Sequence, residues 1–299
     1  MAQAQKSLKA GGHLKAVIEA IADRLAASDL CFGHGVDNPL DEAIWLVCER
    51  ANIDLNTLDD HLNDSVEQGL VDQLEKDLVS RIEQRKPMAY ITQSAYLSGF
   101  RFYVDERVII PRSPIAELIE QGFYPWLEHL GDQPFAVLDM CTGSGCLAIL
   151  MEKYLNCQVD AVDISPDALA VAKMNKAELG SGVNLIESDL FSALEGKTYD
   201  LIVSNPPYVD DHDFQSRPDE FHHEPDIALH AQDEGLAIAL KIIEAAKTHL
   251  NPKGVLIVEV GNSQAAMMRR YPDAPLIWLA FERGGEGVFL LRQEDLVYF

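Results

Sequence analysis

Long uninterrupted apolar runs are absent from this 299-residue chain. A helix that crosses a bilayer needs about 20 mostly apolar residues in succession, so no membrane span is expected. The stretch from Met1 to Leu14 also lacks the apolar segment of a secretory signal, which points to a cytoplasmic protein. Cysteine is scarce and wrongly spaced for structural chemistry. The five residues, Cys31, Cys48, Cys141, Cys146 and Cys157, are odd in number and contain no Cys-x-x-Cys pair, so neither a disulfide framework nor a zinc ribbon is expected, and the thiols read as reduced and mostly buried. Positive charge is the third shortage. The 24 Lys and Arg face 48 Asp and Glu for a net charge of −24, with 9 basic and 16 acidic groups in residues 1–90 and 15 and 32 in the remainder. A chain acidic in both parts repels phosphate backbones, and no local basic patch compensates. Direct DNA binding is therefore not expected, and a basic protein is the better-matched partner.

What the chain does have is a substantial apolar fraction, 47% against 24% charged, in a length that suits two domains. From Leu8 to about Thr92 the periodicity is helical. Leu14, Val17, Ile18, Ile21 and Leu25 share one face, and Ala43–Cys48 and Leu70–Ile82 repeat the pattern, which predicts a small helical bundle. The loop Gly33-His34-Gly35 reads as a turn and cap ahead of a helix started near Asn38-Pro39 or Asp41. After Pro87 the pattern turns strand-like, over Ala95–Leu97, Gly99–Val104 and Val108–Ile110, and predicts a linking hairpin; Pro111-Arg112-Ser113-Pro114 then opens a helix from about Ile115 to Leu130. Beyond it, strands at Ala136–Met140, Val159–Val162, Val183–Glu187, Leu201–Ser204 and Val255–Val260 alternate with helices near 145–155, 166–180, 234–250 and 263–271. That alternation is an α/β doubly wound sheet. Its end breaks the pattern, because Leu276–Glu282 and Val288–Arg292 flank the turn Arg283-Gly284-Gly285-Glu286-Gly287, so the last strand is expected to run antiparallel. The resulting division is 1–92 helical, 93–112 hairpin and 113–299 α/β.

Two loops carry chemistry. Asp139-Met140-Cys141-Thr142-Gly143-Ser144-Gly145 ends the first strand of the sheet and opens a helix, where glycines permit a tight turn and close approach of a ligand. With Ala148 the spacing satisfies a dinucleotide fingerprint, and Asp163, 20 residues after Gly143, ends the second strand where an acidic group takes ribose hydroxyls. This loop reads as a nucleoside-cofactor site and leaves NAD and S-adenosylmethionine both open. The second loop is Asn205-Pro206-Pro207-Tyr208, directly after the buried-strand run Leu201-Ile202-Val203. Two prolines remove two backbone donors and fix two φ angles, so the Pro206 carbonyl becomes a rigid acceptor. Asn205 adds a second acceptor and Tyr208 an aromatic face, a set that suits a planar amino group. A stiff strand-to-loop turn is the plain alternative.

Asp139 ahead of the glycines, the antiparallel end of the sheet and Asn-Pro-Pro-Tyr after the fourth strand tip the choice. Together they resemble class I S-adenosylmethionine-dependent methyltransferases, and in particular the family that methylates the side-chain amide of protein glutamines. The likeness runs through Gly33–Pro39, Val104–Arg107, Ile110–Glu117 and Gly261-Asn262-Ser263, which are similar to the branch acting on large-subunit ribosomal protein L-three. The branch acting on peptide-release factors usually has Pro-Arg-Pro-x-Thr-Glu where this chain has Pro111-Arg112-Ser113-Pro114-Ile115-Ala116-Glu117, a departure that disfavours a release-factor substrate. The resemblance implies a seven-stranded Rossmann-like sheet. It also implies that Asp139, Gly143 and Gly145 hold the methionine part of the cofactor, Asp163 the ribose, Asp189 with Leu190 the adenine, and Asn205, Pro206, Pro207 and Tyr208 the glutamine, with Thr142, Ser144, Ile164 and Asn205 also at the cofactor. Its substrate would be a basic ribosomal protein, met by the helical domain. A monomer satisfies the sequence.

An amide nitrogen is a poor nucleophile, since its lone pair is delocalised. Two acceptors on its N–H bonds would localise that pair, and the proton shed after transfer is acidic enough for water to take, so no general base is expected. Three features stand aside from this core. Val209–Glu234 carries nine acidic residues against Arg217 alone, with His212, His222, His223 and His230; it reads as a solvated loop or a lid facing a basic substrate, and no spacing in it suggests a metal site. Arg112 reads as an anchor for the hairpin or a contact to substrate. Rival functions are adenine amino methylation of nucleic acid, which the acidic charge disfavours, a nicotinamide-dependent dehydrogenase, for which no proton donor is evident, and a non-catalytic nucleoside-binding adaptor.

Overall fold

The computed structural model describes residues 8–131 and 133–299. The expectation drawn from the first residues rests largely on 1–7, outside the described residues. The chain divides into two compact units, Met1–Ala95 with Pro218–His223, and Tyr96–Arg217 with Glu224–Phe299.

The first unit is helical: α1 Leu14–Ala26, α2 Pro39–Ala51, α3 Leu58–His61, α4 Gln68–Glu83 and α5 Met88–Thr92. The apolar stripe of α1 is buried as its spacing predicts, with Leu14, Val17, Ile18, Ile21 and Leu25 all inside. Asn38 caps α2, its side chain accepting from the Asp41 amide at 2.9 Å ahead of Pro39 at the first helical position, and Asn52 ends the helix in the left-handed region. In the Gly33–Gly35 loop, the His34 ring is buried and packs 4.2 Å from the Phe221 ring. Arg81 of α4 is only 1% exposed. Its guanidinium reaches Glu42 at 2.5 Å, Glu220 at 3.2 Å and the Cys31 carbonyl at 2.9 Å, so the short excursion Pro218–His223 is fixed within this unit by a buried ion triad.

A two-stranded hairpin, β1 Ala95–Leu97 and β2 Phe100–Phe102, follows. The strand expected at Val108–Ile110 does not form. The Val108 amide closes a turn onto the Asp105 carbonyl and the Ile110 amide donates to Glu224 Oε1 at 3.0 Å, so these donors are consumed before any ladder can use them. The helix expected to reach Leu130 is also shorter: α6 spans Ile115–Glu120 and ends where Gly122 and Phe123 turn to positive φ.

The sheet elements are β3 Phe135–Met140, α7 Cys146–Tyr154, β4 Cys157–Asp163, α8 Pro166–Glu178, β5 Asn184–Glu187, β6 Tyr199–Ser204, α9 Asp211–Ser216, α10 Asp226–Leu229, α11 Ala237–His249, β7 Leu250–Glu259, α12 Gln264–Arg270, β8 Ile277–Trp278 and β9 Val288–Arg292. The seven strands lie in the order β5-β4-β3-β6-β7-β9-β8, with β9 antiparallel to β7 and to β8. The antiparallel end is therefore as expected. Both faces are covered, and the pleat sorts the strands with period two: Val137, Leu201, Val203 and Ile257 join one core, Leu138, Ile202, Leu256 and Val258 the other. β8 is the exception to the sequence reading. It keeps two residues of the expected Leu276–Glu282; the Leu279 amide still donates to the Val288 carbonyl at 2.9 Å, but the Glu282 and Arg283 amides donate to the Glu117 carboxylate at 2.9 and 3.1 Å instead of a neighbouring strand.

Candidate active site

Parallel register brings the two chemical loops together. Met140 of β3 lies opposite Val162 of β4 and Ser204 of β6, and Ser204 lies opposite Val258 of β7. Asp163, Cys141–Gly145, Asn205–Tyr208 and Glu259 therefore stand at the same edge of the sheet, at its carboxyl ends. From β3 the chain steps outward to β4 and β5, then crosses back to the other side of β3 at β6. A switch point of this kind is where open α/β sheets hold ligands.

On the glycine-loop side, Asp139 is 1% exposed. Its Oδ2 accepts from Thr142 Oγ1 at 2.6 Å and from the Ala148 amide at 3.1 Å, tying the loop to the first turn of α7. Its Oδ1 accepts nothing among the described residues. Burial pushes the Asp139 carboxyl up to about 7, the Thr142 and Ala148 bonds pull it down, and the nearby Asp163 charge adds to the rise. Asp163 accepts from the Gly143 amide at 2.8 Å and the Ser165 amide at 2.9 Å, and burial raises its carboxyl as well. Each of its oxygens keeps a second lone pair. Gly143 has φ +55 and open space where a Cβ would stand, apart from Ile109 at 3.9 Å. Gly145, at φ +80, also admits α8: a Cβ there would meet that of Ala172 at 3.1 Å. Ile164, 51% exposed, and the exposed Asp189, followed by Leu190, stand beyond Asp163 at the ends of β4 and β5.

This donor set fits S-adenosylmethionine. A desolvated carboxylate with one unpaired oxygen suits an ammonium, an open glycine suits a close backbone approach, a second carboxylate suits a pair of hydroxyls, and an exposed aliphatic side chain suits a flat base.

On the other side, Asn205 is half-buried and Pro206 buried. Neither the Asn205 side chain nor the Pro206 carbonyl makes a hydrogen bond among the described residues. Tyr208 is held from all sides. Its hydroxyl donates to Glu259 Oε1 at 2.8 Å, its carbonyl accepts from Ser263 Oγ at 3.0 Å, and burial followed by the Glu259 charge raises its phenol well above the ordinary value. Gly261, at φ +44, leaves room for the ring, since a Cβ there would lie 2.6 Å from Tyr208 Cε2.

The sequence reading passed over Glu259, Glu224 and Asn175. Glu259 accepts from Tyr208 and, at 2.5 Å, from Ser113. Glu224, fully buried at its side chain, takes Arg112 in a two-pronged pair at 2.5 and 2.8 Å, which makes Arg112 the anchor of its segment. Asn175 bridges Tyr103 and the Ser144 carbonyl. A signal existed for Glu259, a lone acidic residue closing the apolar strand Val255–Val260. None existed for the other two. The stretch Val209–Glu234 is not a uniformly solvated loop, for it forms α9 and α10 and buries Glu220 and Glu224. Its spacing also does what the sequence did not suggest, bringing Asp210, His212 and Asp213 within 4.8 Å of one another. Their bonds are internal or to Asn262: Asp210 caps α9 through the Asp213 amide, and Asp213 accepts from Asn262 at 3.1 Å.

The strand order, the reversed β9 and the ligand loops at the switch point define a class I methyltransferase. A family model described as "Methyltransferase small domain" matches residues 118–221. The chain is 45% identical to the ribosomal protein uL3 glutamine methyltransferase of Francisella tularensis subsp. tularensis over 92% of this chain and 88% of that protein, and 43% identical to the one of Neisseria gonorrhoeae over 95% of each. A solved methyltransferase from Pyrococcus furiosus is 19% identical, with a TM-score of 0.48 over 72% of this chain and 96% of that one. The chain belongs to the ribosomal protein uL3 glutamine methyltransferase family, and its cofactor is S-adenosylmethionine. No helix among the described residues is long and apolar enough to cross a membrane.

Proposed function

We propose that this chain methylates the side-chain amide nitrogen (N5) of a glutamine in large-subunit ribosomal protein uL3. The observation that carries the reading is the pair of adjacent acceptors, the Asn205 side-chain oxygen and the Pro206 carbonyl, both without a partner among the described residues, on a proline-stiffened frame beside the glycine loop. When bound, S-adenosylmethionine supplies an electrophilic methyl group on a sulfonium. Asp139 Oδ1 takes the ammonium of its methionine part, the loop Thr142-Gly143-Ser144-Gly145 lies along it, Asp163 with Ile164 receives the ribose, and Asp189 and Leu190 border the adenine. Asn205 and Pro206 accept the two N–H bonds of the target amide, which localises the nitrogen lone pair and fixes its direction. Pro207 keeps the Pro206 carbonyl in place, and Tyr208 packs its ring along the amide.

In this reading the helical part, residues 1–92, recognises the protein substrate, residues 93–112 link, and residues 113–299 bind cofactor and perform the chemistry. The partner is a basic ribosomal protein met in the cytoplasm, which suits a net charge of −24. The test is incubation of the purified chain with S-adenosylmethionine and recombinant uL3, peptide-release factor or adenine-containing RNA, followed by tandem mass spectrometry. One added methyl on one glutamine of uL3 is expected. Transfer to release factor or RNA in its place would sink the reading.

A further inference from the structure

We propose that Glu259 is a positioning residue of the methyl-transfer site, and that with Ser113 it sets the orientation of Tyr208. The inference deepens the glutamine reading and rests on it for the identity of the substrate, but the geometry that supports it lies wholly within the sheet-bearing unit.

Glu259 closes β7, next in register to the residues that follow β6, and it is 5% exposed. A carboxylate in such a place costs free energy unless its oxygens are matched. They are matched by two hydroxyls, Tyr208 on Oε1 at 2.8 Å and Ser113 on Oε2 at 2.5 Å. The two oxygens thus join Tyr208 of the proposed amide clamp to the segment before α6. That segment has no freedom to yield, because the Ile110 amide and the Arg112 guanidinium are both bound to the buried Glu224. Tyr208 is confined from the other side as well: a Cβ on Gly261 would meet its ring, a Cβ on Gly235 would meet its carbonyl, and Ser263 Oγ donates to that carbonyl at 3.0 Å.

Two consequences separate this from a general packing role. First, the Tyr208 hydroxyl is already engaged as a donor, so it does not hydrogen-bond the substrate amide through its proton; what it supplies is the placement of its ring and of the preceding Pro206 carbonyl, two residues away on a proline-stiffened chain. Second, Tyr208 and Glu259 act as one unit. Removing either hydroxyl or carboxylate breaks the same link, so removing both should cost little more than removing one.

The test uses the full chain as wild type, Tyr208→Phe, Glu259→Ala, the double variant and Ser113→Ala, each checked for folding by its melting temperature; Ala is chosen because Gln would still accept from the Tyr208 hydroxyl. With uL3 as substrate, kcat is expected to fall about ten-fold in Tyr208→Phe and in Glu259→Ala, with cofactor Kd within about two-fold of wild type and the double variant no slower than the slower single one. Ser113→Ala should lower kcat in the same direction by less. A second readout needs no substrate. With fluorotyrosine incorporated and the Tyr208 resonance assigned from the Tyr208→Phe protein, Glu259→Ala should shift that resonance and bring the phenol's titration down toward its ordinary pH range. A Glu259→Ala protein with wild-type kcat, or costs that multiply in the double variant, overturns the proposal. So does an unmoved Tyr208 resonance, whether or not uL3 is methylated. If the resonance moves as expected while wild-type protein transfers nothing to uL3, the substrate reading fails and the positioning role of Glu259 stands.

Discussion

Asp139 makes a measurable statement at the scale of one residue. Its carboxyl titrates near 7 in the folded chain, against an ordinary value of 3.8, because burial outweighs its two bonds. A raised carboxyl favours the fold fully below the ordinary value, where the group is protonated in both states, and that favour is lost as pH rises through about 7. Cofactor-free protein is therefore expected to lose stability from about pH 4 to about pH 7, by up to roughly 4 kcal/mol from this group. Asp139→Asn stays neutral throughout and should flatten that part of the slope in melting curves taken across the range. If Oδ1 takes an ammonium, ionisation becomes favourable on binding, so wild-type affinity for S-adenosylmethionine should rise with pH up to about 7 and that rise should be missing in the variant. Asn205 gives the second residue-scale expectation. With one of two acceptors removed, Asn205→Ala should keep its cofactor affinity by calorimetry and lose about 100-fold in kcat; near wild-type turnover would exclude the amide clamp.

The strand-end loops are the elements on which the site depends, and glycine substitutions distinguish their duties. Gly143→Ala meets open space at φ +55, so it should cost about 1 kcal/mol of stability but weaken cofactor binding strongly. Gly261→Ala puts a methyl 2.6 Å from the Tyr208 ring, so it should destabilise by about 1–3 kcal/mol and slow turnover with cofactor affinity retained. Calorimetric titration beside steady-state kinetics on both proteins checks the division, and identical profiles would contradict it. Within the helical unit, the comparable element is α4. Truncating Arg81 to Ala would leave the Glu42 and Glu220 carboxylates buried without their shared cation, and a loss of about 3–5 kcal/mol is expected in chemical denaturation. How much of this was readable in advance differs by element. The helices of the first unit and the long strands announce themselves by periodicity, since a buried stripe or pleat must be apolar. The aborted strand at Val108–Ile110 and the early end of the one expected to reach Glu282 do not, because the Ile110 amide goes to Glu224 and the Glu282 amide to Glu117, both remote in sequence.

For the whole molecule, charge is the governing property. A net charge of −24 should steer a basic substrate over distances set by the salt concentration. The KM for uL3 is expected to rise with salt, and replacing Asp210, Asp211 and Asp213 by Asn should raise KM at low salt while blunting its salt dependence; a salt profile unchanged by the substitutions would remove α9 from the docking surface. The sequence by itself determined the acidic character, the helical first unit, the α/β alternation with its reversed end, and the place of the glycine and Asn-Pro-Pro-Tyr loops at strand ends, because each follows from composition, from periodicity or from residues adjacent in the chain. Only the tertiary structure decided that Glu259 holds Tyr208, that Glu224 fixes Arg112, and that Gly145 also makes room for α8. Those are pairings between residues far apart in the chain, and the cost of burying a carboxylate, which decides what it binds, exists only once the chain around it has closed.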